Sequence, residues 1–237
     1  MKPRCFCIAD IHGRYNALLE VLLKSEFDFE RDLLITLGDI VDGGMKTREC
    51  LDLLLRIPNR IDIRGNHDTW GLGWMNGGNE FPLWTNQGGL ETLRSYDFDR
   101  ENVPRAHREL IENARTYYVD KKKNIFVHGG FNPLAPIKNQ TREFITWDRT
   151  LIKYAREHKI RGYKHVFIGH TSTQMIDKSI THPITFNNLT LCDTGAGWNG
   201  KLSIVNVDNP SEYYQSRMQI PRYEPDIIYD SEIRSDW

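Results

Sequence analysis

Short apolar runs alternate with stretches of helical periodicity in the first quarter of the chain. The runs at residues 5–9, 33–37 and 60–63 are short and apolar enough to predict buried strands. Between them, residues 16–24 and 48–57 place apolar side chains at helical spacing. Strands that alternate with helices predict parallel βαβ units, so an α/β fold is expected.

The pattern changes after residue 68. Residues 70–89 hold three Trp and six Gly without a regular period, which predicts a long irregular loop. Helices are predicted at 89–95 and 105–115, and residues 208–237 are expected to form a tail that wraps the surface. With no repeat or linker, the chain is predicted to be one domain, 1–237. The later strands are predicted at 117–119, 125–128, 166–169, 190–193 and 201–206.

Composition narrows the class of protein. Lys plus Arg number 31 and Asp plus Glu 32 in 237 residues, so no overall basic field indicates dedicated nucleic-acid binding. No apolar stretch reaches membrane-spanning length, and the N-terminal one is too short for a signal peptide. The four cysteines, Cys5, Cys7, Cys50 and Cys192, form neither a C-x-x-C motif nor a disulfide framework. Free thiols favour a reducing compartment, and a cytoplasmic protein is expected.

Side chains that bind metals follow the predicted strands. Carboxyl ends of parallel strands meet at one sheet edge, where open α/β sheets bind ligands. Carboxylate, amide and imidazole groups together suit hard to borderline divalent cations. The candidates, in chain order, are Asp10, His12, Asp39, Asn66, His128 and His170.

The spacing of these residues has a physical reason. Asp10 and His12 lie two positions apart at a strand end, so both side chains can point to one ion. Asp39 is anionic with two oxygens and can bridge two ions. His67 follows Asn66 directly and should point elsewhere, which leaves it available for acid–base chemistry. A single Asp at a strand end is more often a turn or cap residue, but six such residues in register favour a metal site.

Five motifs in this order resemble a known family. They are D-x-H-G at residue 10, G-D-x-V-D at 38, G-N-H-D at 65, H-G-G at 128 and G-H-T at 169. The set resembles the calcineurin-like metallophosphoesterases, in particular the phosphoprotein phosphatase (PPP) branch with its small bacterial and phage serine/threonine phosphatases. The match runs from Phe6 to about Val207 and includes I-T-W-D-R at 145–149 and D-T-G-A at 193–196.

The resemblance implies a fold and a cofactor. The fold is a pair of β-sheets sandwiched between helices, and the cofactor is two divalent metal ions, expected to be manganese, with iron or zinc as alternatives. One ion is implied on Asp10, His12 and Asp39. The second is implied on Asp39, Asn66, His128 and His170.

The resemblance also implies a reaction. A metal-activated water would hydrolyse a phosphomonoester, expected to be phosphoserine or phosphothreonine in a protein or a small phosphoester. His67 is the implied proton donor to the leaving group, Asp42 is its carboxylate partner, and Arg149 binds the substrate phosphate.

One departure keeps alternatives open. The family has V-D-R-G where this chain has V-D-G-G at 41–44, and the missing arginine normally contacts the phosphate. The first alternative is therefore hydrolysis of a nucleotide, a dinucleoside polyphosphate or a phosphodiester. The second is a metal-stabilised module that binds a phosphorylated ligand without turnover. The retained Asp42 favours the phosphoprotein branch.

Several residues outside the motifs have weaker assignments. Trp70, Trp74 and Trp84 are expected to anchor the glycine-rich segment by packing, with clamping of a substrate as the alternative. His107 is assigned to packing or the surface, and Asp68 to a local cap or hydrogen bond.

Overall fold

The computed structural model describes residues 2–217; Met1 and residues 218–237 lie outside the described part. In it, two five-stranded sheets have the orders β10-β9-β1-β2-β3 and β4-β5-β6-β8-β7. The strands are β1 Cys5–Ile8, β2 Leu33–Thr36, β3 Arg60–Asp62, β4 Tyr117–Val119, β5 Asn124–Val127, β6 His165–Ile168, β7 Ile184–Phe186, β8 Leu189–Leu191, β9 Ser203–Asn206 and β10 Tyr213–Gln215.

The helices lie between these strands. No helix of residues 2–217 combines the length and apolar character needed to cross a bilayer. The α-helices are α1 Tyr15–Lys24, α2 Thr47–Leu55, α3 Asn66–Met75, α4 Pro82–Trp84, α5 Leu90–Ser95, α6 Arg105–Glu112, α7 Arg142–Trp147, α8 Thr150–Glu157 and α9 Thr173–Ile176.

The first sheet begins with the predicted βαβ units. β1 pairs with β2 in parallel, with Cys5 opposite Leu33, and β2 pairs with β3 in parallel. β9 then adds to β1 antiparallel, with Phe6 opposite Asn206. In the second sheet β5, β6 and β8 are parallel, while β4 and β7 pair antiparallel at its two edges.

The side-chain alternation of the strands explains the layers. Phe6 and Ile8 of β1 belong to the core cluster shared with α1 and α2. Cys7, between them, belongs to a cluster that joins both sheets, because successive strand side chains point to opposite faces. Phe126 and Phe167 of the second sheet stack in that middle layer with ring centroids 5.1 Å apart. The predicted sandwich of two sheets between helices is confirmed.

Two predictions differ from the structure. The irregular loop predicted for residues 70–89 is wrong at its start, because α3 continues to Met75 and buries Trp74 and Met75. Because the glycines at 71 and 73 have low helix propensity, the sequence did not predict this helix. Tertiary burial outweighs that low propensity. In the predicted tail, Tyr213–Gln215 adds β10 to the first sheet; residues 218–237 lie outside the described part.

Candidate active site

The predicted site residues stand on tight turns that leave the strands. Non-glycine residues rarely adopt positive φ, and clusters of such residues mark functional sites. Five predicted site residues have φ between 49° and 71°: Asp10, His12, Asp39, Asp42 and His170. The backbone therefore bends sharply at the strand ends and turns these side chains toward the same edge.

Asp39 lies at the centre of the arrangement. Its Oδ2 atom is 3.4 Å from Nε2 of His128 and 3.8 Å from Nε2 of His12. Two groups of metal-binding atoms, each within 4.8 Å, share this residue: one with His12 and His67, the other with His128 and His170. The first sheet supplies Asp39 and His12, and the second supplies His128 and His170, so the site lies where the two sheets meet.

A cavity of about 360 Å³ opens above these groups. Two predicted residues, His128 and Asp42, are fully buried behind it. The predicted site residues that line the cavity are Asp10, His12, Asp39, Asn66, His67, Arg149 and His170.

The hydrogen bonds of the histidines leave ring nitrogens that can bind cations. Nδ1 of His12 lies 3.1 Å from the carbonyl oxygen of Val41, and Nδ1 of His128 lies 2.7 Å from that of Leu37. A carbonyl only accepts hydrogen bonds, so Nδ1 carries the proton and Nε2 is left with its lone pair. Metal-bound histidines usually donate their other ring N–H to a carbonyl or carboxylate in this way. Nε2 of His170 is buried and has no hydrogen-bond partner among residues 2–217. These donors fit divalent metal ions.

Asp10 and Asn66 lie in the same cavity but contact different groups. The Asp10 carboxylate accepts the backbone N–H of His170 at 3.0 and 3.1 Å. The Asn66 Oδ1 atom lies 2.9 Å from Nε2 of His128. His67, rather than Asp10, stands with His12 and Asp39 in the first donor group. The ligand roles of Asp10 and Asn66 stay predictions.

The electrostatics favour metal-binding protonation states. Burial raises the pKa of Asp39, but His128 and His67 outweigh it and lower that pKa. Burial lowers the pKa of His12 to about 4 and that of His170 to about 3. At neutral pH the site therefore presents the Asp39 carboxylate beside neutral imidazoles at His12 and His170. Burial opposes the charged form of His128, but Asp39 outweighs it and raises that pKa.

Among the described residues that line the cavity, the carboxylates Asp10, Asp39 and Asp193 outnumber the single Lys or Arg, which is Arg149. Burial, with Asp193 and Asp39 nearby, raises the pKa of Asp10. Asp193 also lines the cavity, and burial raises its pKa to about 6. Crowded carboxylates disfavour a second negative charge unless a cation is present, so this cluster suits bound cations.

His67 is held by a buried carboxylate. Its Nδ1 atom is 2.8 Å from Oδ2 of Asp42, as the resemblance implied. Burial disfavours the charged imidazole, yet Asp39 and Asp42 raise the pKa of His67 to about 9. Sequence analysis did not find the rest of this network: Trp84 Nε1 donates to Asp42 Oδ2 at 2.8 Å, and Thr92 Oγ1 donates to Asp42 Oδ1 at 2.7 Å. Trp84 is fully buried, so its packing role is confirmed and a polar role is added.

Asp68 ties two site loops together. Its carboxylate accepts the backbone N–H groups of Asp39 and Ile40, both at 2.8 Å, and of Gly65 at 2.9 Å. The sequence suggested a local cap, which the Gly65 bond provides. The two bonds to the loop after β2 were not predictable from local sequence.

Arg149 lines the cavity beside an aromatic wall. The ring of Trp147 meets that of His170 edge-on with ring centroids 5.4 Å apart, and its centroid lies 5.5 Å from that of Trp70. Trp70 in turn contacts His67 at 5.0 Å. Trp70 is half-buried, and it packs against the core as well as against the site residue His67. The sequence singled out Arg149 only through its motif, whereas Gln87, which also lines the cavity, stands in no motif.

Comparison with known proteins places the chain in a family. The calcineurin-like phosphoesterase family matches residues 3–182, and the chain belongs to it. Serine/threonine-protein phosphatase 2 of Escherichia coli K12 is 34% identical over 211 residues, covering 84% of this chain and 91% of that protein. Serine/threonine-protein phosphatase 1 of Salmonella typhimurium LT2 is 26% identical over 208 residues, covering 84% and 90%.

A solved structure confirms the fold independently. The crystal structure of a protein assigned as a diadenosine tetraphosphatase superposes with a TM-score of 0.67 at 17% identity, covering 94% of this chain and 96% of that one. At this identity the likeness concerns the fold alone. Family membership and the phosphatase relatives make the chain a hydrolytic, metal-dependent phosphoesterase.

Proposed function

We propose that this chain is a dimetal-dependent phosphatase whose substrates are phosphoserine and phosphothreonine in proteins. The observation that carries the proposal is a single cavity in which Asp39 is shared by two metal-binding groups beside the His67–Asp42 pair. Two serine/threonine-protein phosphatases that align with 84% of the chain support the protein substrate.

We assign the metal ligands as the family pattern implies. The first ion would take Asp10, His12 and Asp39, and the second would share Asp39. The orphaned Nε2 of His170 and the oriented imidazole of His128 support the second set. Manganese is the expected ion, with iron or zinc as alternatives. Such ions supply positive charge to phosphoryl oxygens and make water a better nucleophile at neutral pH. The ligands proposed for the second ion are Asp39, Asn66, His128 and His170.

Side chains of the protein account for proton donation and phosphate binding in the proposed reaction. His67 has Nδ1 occupied by Asp42, so its other ring nitrogen is available to donate a proton to the departing oxygen. Asp42, fixed by Trp84 and Thr92, keeps the imidazole in one tautomer and orientation. Arg149 would bind phosphoryl oxygens, where a guanidinium donates two parallel hydrogen bonds.

Charge favours a single phosphoryl group as substrate. Among the described residues that line the cavity, Arg149 is the only Lys or Arg. A dinucleoside polyphosphate carries several charged phosphates and would be expected to need several such cations. The arginine lost at Gly43 keeps nucleotides, dinucleoside polyphosphates and phosphodiesters as the alternative substrates. A non-catalytic binding module is disfavoured, because binding alone needs no His67–Asp42 proton donor.

We also propose a cytoplasmic location. All four cysteines are free thiols. Cys7 and Cys192 bring their Sγ atoms to 3.7 Å without a bond, which is consistent with a reducing compartment.

The test is a substrate panel on one purified, manganese-loaded sample: p-nitrophenyl phosphate, bis-p-nitrophenyl phosphate, a phosphoserine peptide and diadenosine tetraphosphate. We expect kcat/KM to be highest for the phosphopeptide and at least about tenfold lower for diadenosine tetraphosphate, the worth of one charged contact. Zinc- and iron-loaded samples test the choice of metal. Preference for the tetraphosphate would favour the alternative, and no turnover of any substrate would favour the binding module.

A further inference from the structure

The backbone at position 43 disfavours a side chain in this chain. Gly43 has φ +80°, and a Cβ built on it would lie 3.3 Å from both the Gly197 carbonyl oxygen and the Cβ of His12. Side chains rarely adopt this φ, and both neighbours belong to the walls of the site. The arginine that the family pattern has here is replaced by a glycine, which adopts this φ without strain.

A second segment covers this glycine. Residues 82–95 run past it, and the Gly43 N–H donates to the Gly88 carbonyl oxygen at 3.0 Å. Gly88 has φ +100°, and a Cβ there would lie 2.4 Å from the Gly43 nitrogen. The two backbones meet so closely that a side chain at Gly88 would collide with Gly43, while the positive φ of Gly43 disfavours a side chain there. The glycine that stands in place of the family arginine is thus the residue that the 82–95 segment approaches closely.

The same contact carries Gln87 into the active-site cavity. Gln87 precedes Gly88 in the kinked turn Thr85–Gly89, where both residues leave helical φ/ψ. It lines the cavity together with Asp39, His67 and Arg149. Gln87 is half-buried, and its side-chain amide takes no part in the hydrogen bonds that the described residues His67, Trp84 and Thr92 make to Asp42, so its donors are available to a ligand.

We propose that Gln87 contacts the substrate and takes the place of the family arginine, donating its amide N–H to an oxygen on the substrate phosphorus. The inference rests on the proposed phosphatase function and specifies its substrate class. A guanidinium selects a phosphate dianion through charge-assisted hydrogen bonds, which are about twice as strong as neutral ones. A neutral amide binds the dianion less tightly but loses little when one oxygen carries an ester group. The site therefore accepts phosphodiesters and other singly charged phosphoryl groups beside monoesters.

The variants Gln87→Ala and Gln87→Arg test this assignment without disturbing Gly43. Steady-state kinetics are measured with p-nitrophenyl phosphate and with its bis-ester. Gln87→Ala should raise KM for both substrates about threefold to tenfold with little change in kcat, the worth of one neutral hydrogen bond. Gln87→Arg should lower KM for the monoester and raise the monoester-to-diester ratio of kcat/KM about tenfold, since it adds a charged contact.

The matched control is Asn86→Arg, which places the same charge on the exposed neighbour of Gln87 and should change the ratio less than about twofold because exposed charges are screened. Thermal melts confirm that each variant is folded. If Gln87→Ala and Gln87→Arg both leave KM and the substrate ratio unchanged, Gln87 does not contact the substrate.

A binding measurement separates this inference from the proposed function. The Kd of inorganic phosphate is measured by titration calorimetry on manganese-loaded wild type and variants. Gln87→Arg should tighten phosphate binding about tenfold. If wild type hydrolyses neither ester while phosphate affinity responds as expected, the phosphatase proposal fails and the contact of Gln87 stands. Turnover of the esters with no response of phosphate affinity to either variant would overturn the contact alone.

Discussion

The hydrogen bond to Asp42 orients the His67 imidazole, so that its other ring nitrogen presents a proton in one direction. Because the fully buried Asp42 binds Nδ1 at 2.8 Å while His67 lines the cavity, the imidazole has one free nitrogen for chemistry. A phosphoserine leaving group is a poor one and needs that proton, whereas p-nitrophenolate departs with little help. The role of His67 should therefore appear as a difference between substrates.

We predict that His67→Asn lowers kcat for a phosphoserine peptide by about 10²–10⁴, the usual worth of general acid catalysis. The loss for p-nitrophenyl phosphate should be smaller. His158→Asn, a change of the same chemistry at an exposed histidine, serves as the control. Equal losses for both substrates would instead assign His67 to metal binding, since it stands in one donor group with His12 and Asp39.

At this scale, local sequence predicted residues that carry their own motif. Asp10, Asp39 and His170 were recognisable because glycines and buried strands flank them, and all three lie in one cavity. Thr92 and Trp84 were not, because their bonds to Asp42 span 50 and 42 positions. A hydrogen bond between distant positions leaves no periodicity or spacing in the sequence.

Among the elements, the 82–95 segment supports the site from behind. It supplies both Trp84 and Thr92 to Asp42, and it also carries Gln87. The sequence predicted an irregular loop up to residue 89 and a helix at 89–95. The helix is confirmed as α5, whereas the end of the predicted loop forms α4 and a kinked turn at Gln87 and Gly88.

We predict that Trp84→Phe weakens both stability and catalysis. Phenylalanine retains most of the packing but lacks the N–H, which leaves the buried Asp42 carboxylate short of one donor. The free energy of unfolding should fall by about 1–3 kcal/mol, and kcat for the phosphoserine peptide should fall more than kcat for p-nitrophenyl phosphate. Trp74→Phe, in the same cluster but without a bond to Asp42, is the control. If both variants have the same ratio between the two substrates, Trp84 only packs.

His107 joins α6 to its neighbours through two hydrogen bonds. The Tyr96 hydroxyl lies 2.8 Å from Nδ1, and Nε2 lies 2.9 Å from Asp52 of α2. Burial lowers the pKa of His107, although Asp52 acts in the opposite direction. The neutral ring satisfies both partners by accepting from the tyrosine and donating to the carboxylate. The packing role expected from the sequence is confirmed.

This arrangement predicts a pH dependence of stability. Because the pKa is lower in the folded state than the ordinary value near 6.5, the unfolded chain binds more protons below about pH 6.5. The contribution of His107 is therefore complete above that pH and declines as the pH falls. His107→Gln should cost about 1–3 kcal/mol in urea unfolding at pH 7.5, with a smaller cost at pH 5.5. His158→Gln is the exposed control; an identical cost at both pH values would contradict the assignment.

For the whole molecule, the sequence predicted four strands of each sheet and missed β10 and β7, and it predicted the pairing of the first sheet better than that of the second. β1, β2 and β3 follow from apolar runs separated by amphipathic helices. The order β4-β5-β6-β8-β7 mixes parallel and antiparallel neighbours, and pairing across such sequence distances depends on tertiary packing. The resemblance supplied the two-sheet architecture that periodicity alone did not. Helix α8 was not predicted, although Leu151, Ile152 and Ala155 have helical spacing and pack on β5 and β6.

The position of the site between the sheets links metal binding to global stability. Asp39 and His12 stand on loops of the first sheet, and His128 and His170 stand on loops of the second. Ions held by both sets would stabilise the folded chain, because the unfolded chain does not hold the ligands together. The gain is about 2.7 kcal/mol at an ion concentration 100 times Kd. For a domain of this size, that corresponds to a rise in Tm of roughly 5–10 °C.

We therefore predict that chelation lowers the Tm of the wild type by this amount and that added manganese restores it. Asp39→Asn should remove most of the metal-dependent shift and lower both bound metal and turnover, because this one carboxylate is common to both donor groups. Asp28→Asn, which changes a carboxylate away from the site, should retain the full shift. Melting curves with and without a chelator, together with metal analysis of the purified protein, provide the measurement. A wild-type Tm that ignores chelation, or an Asp39→Asn variant that keeps the shift, would show that the two sheets are not joined through metal at Asp39.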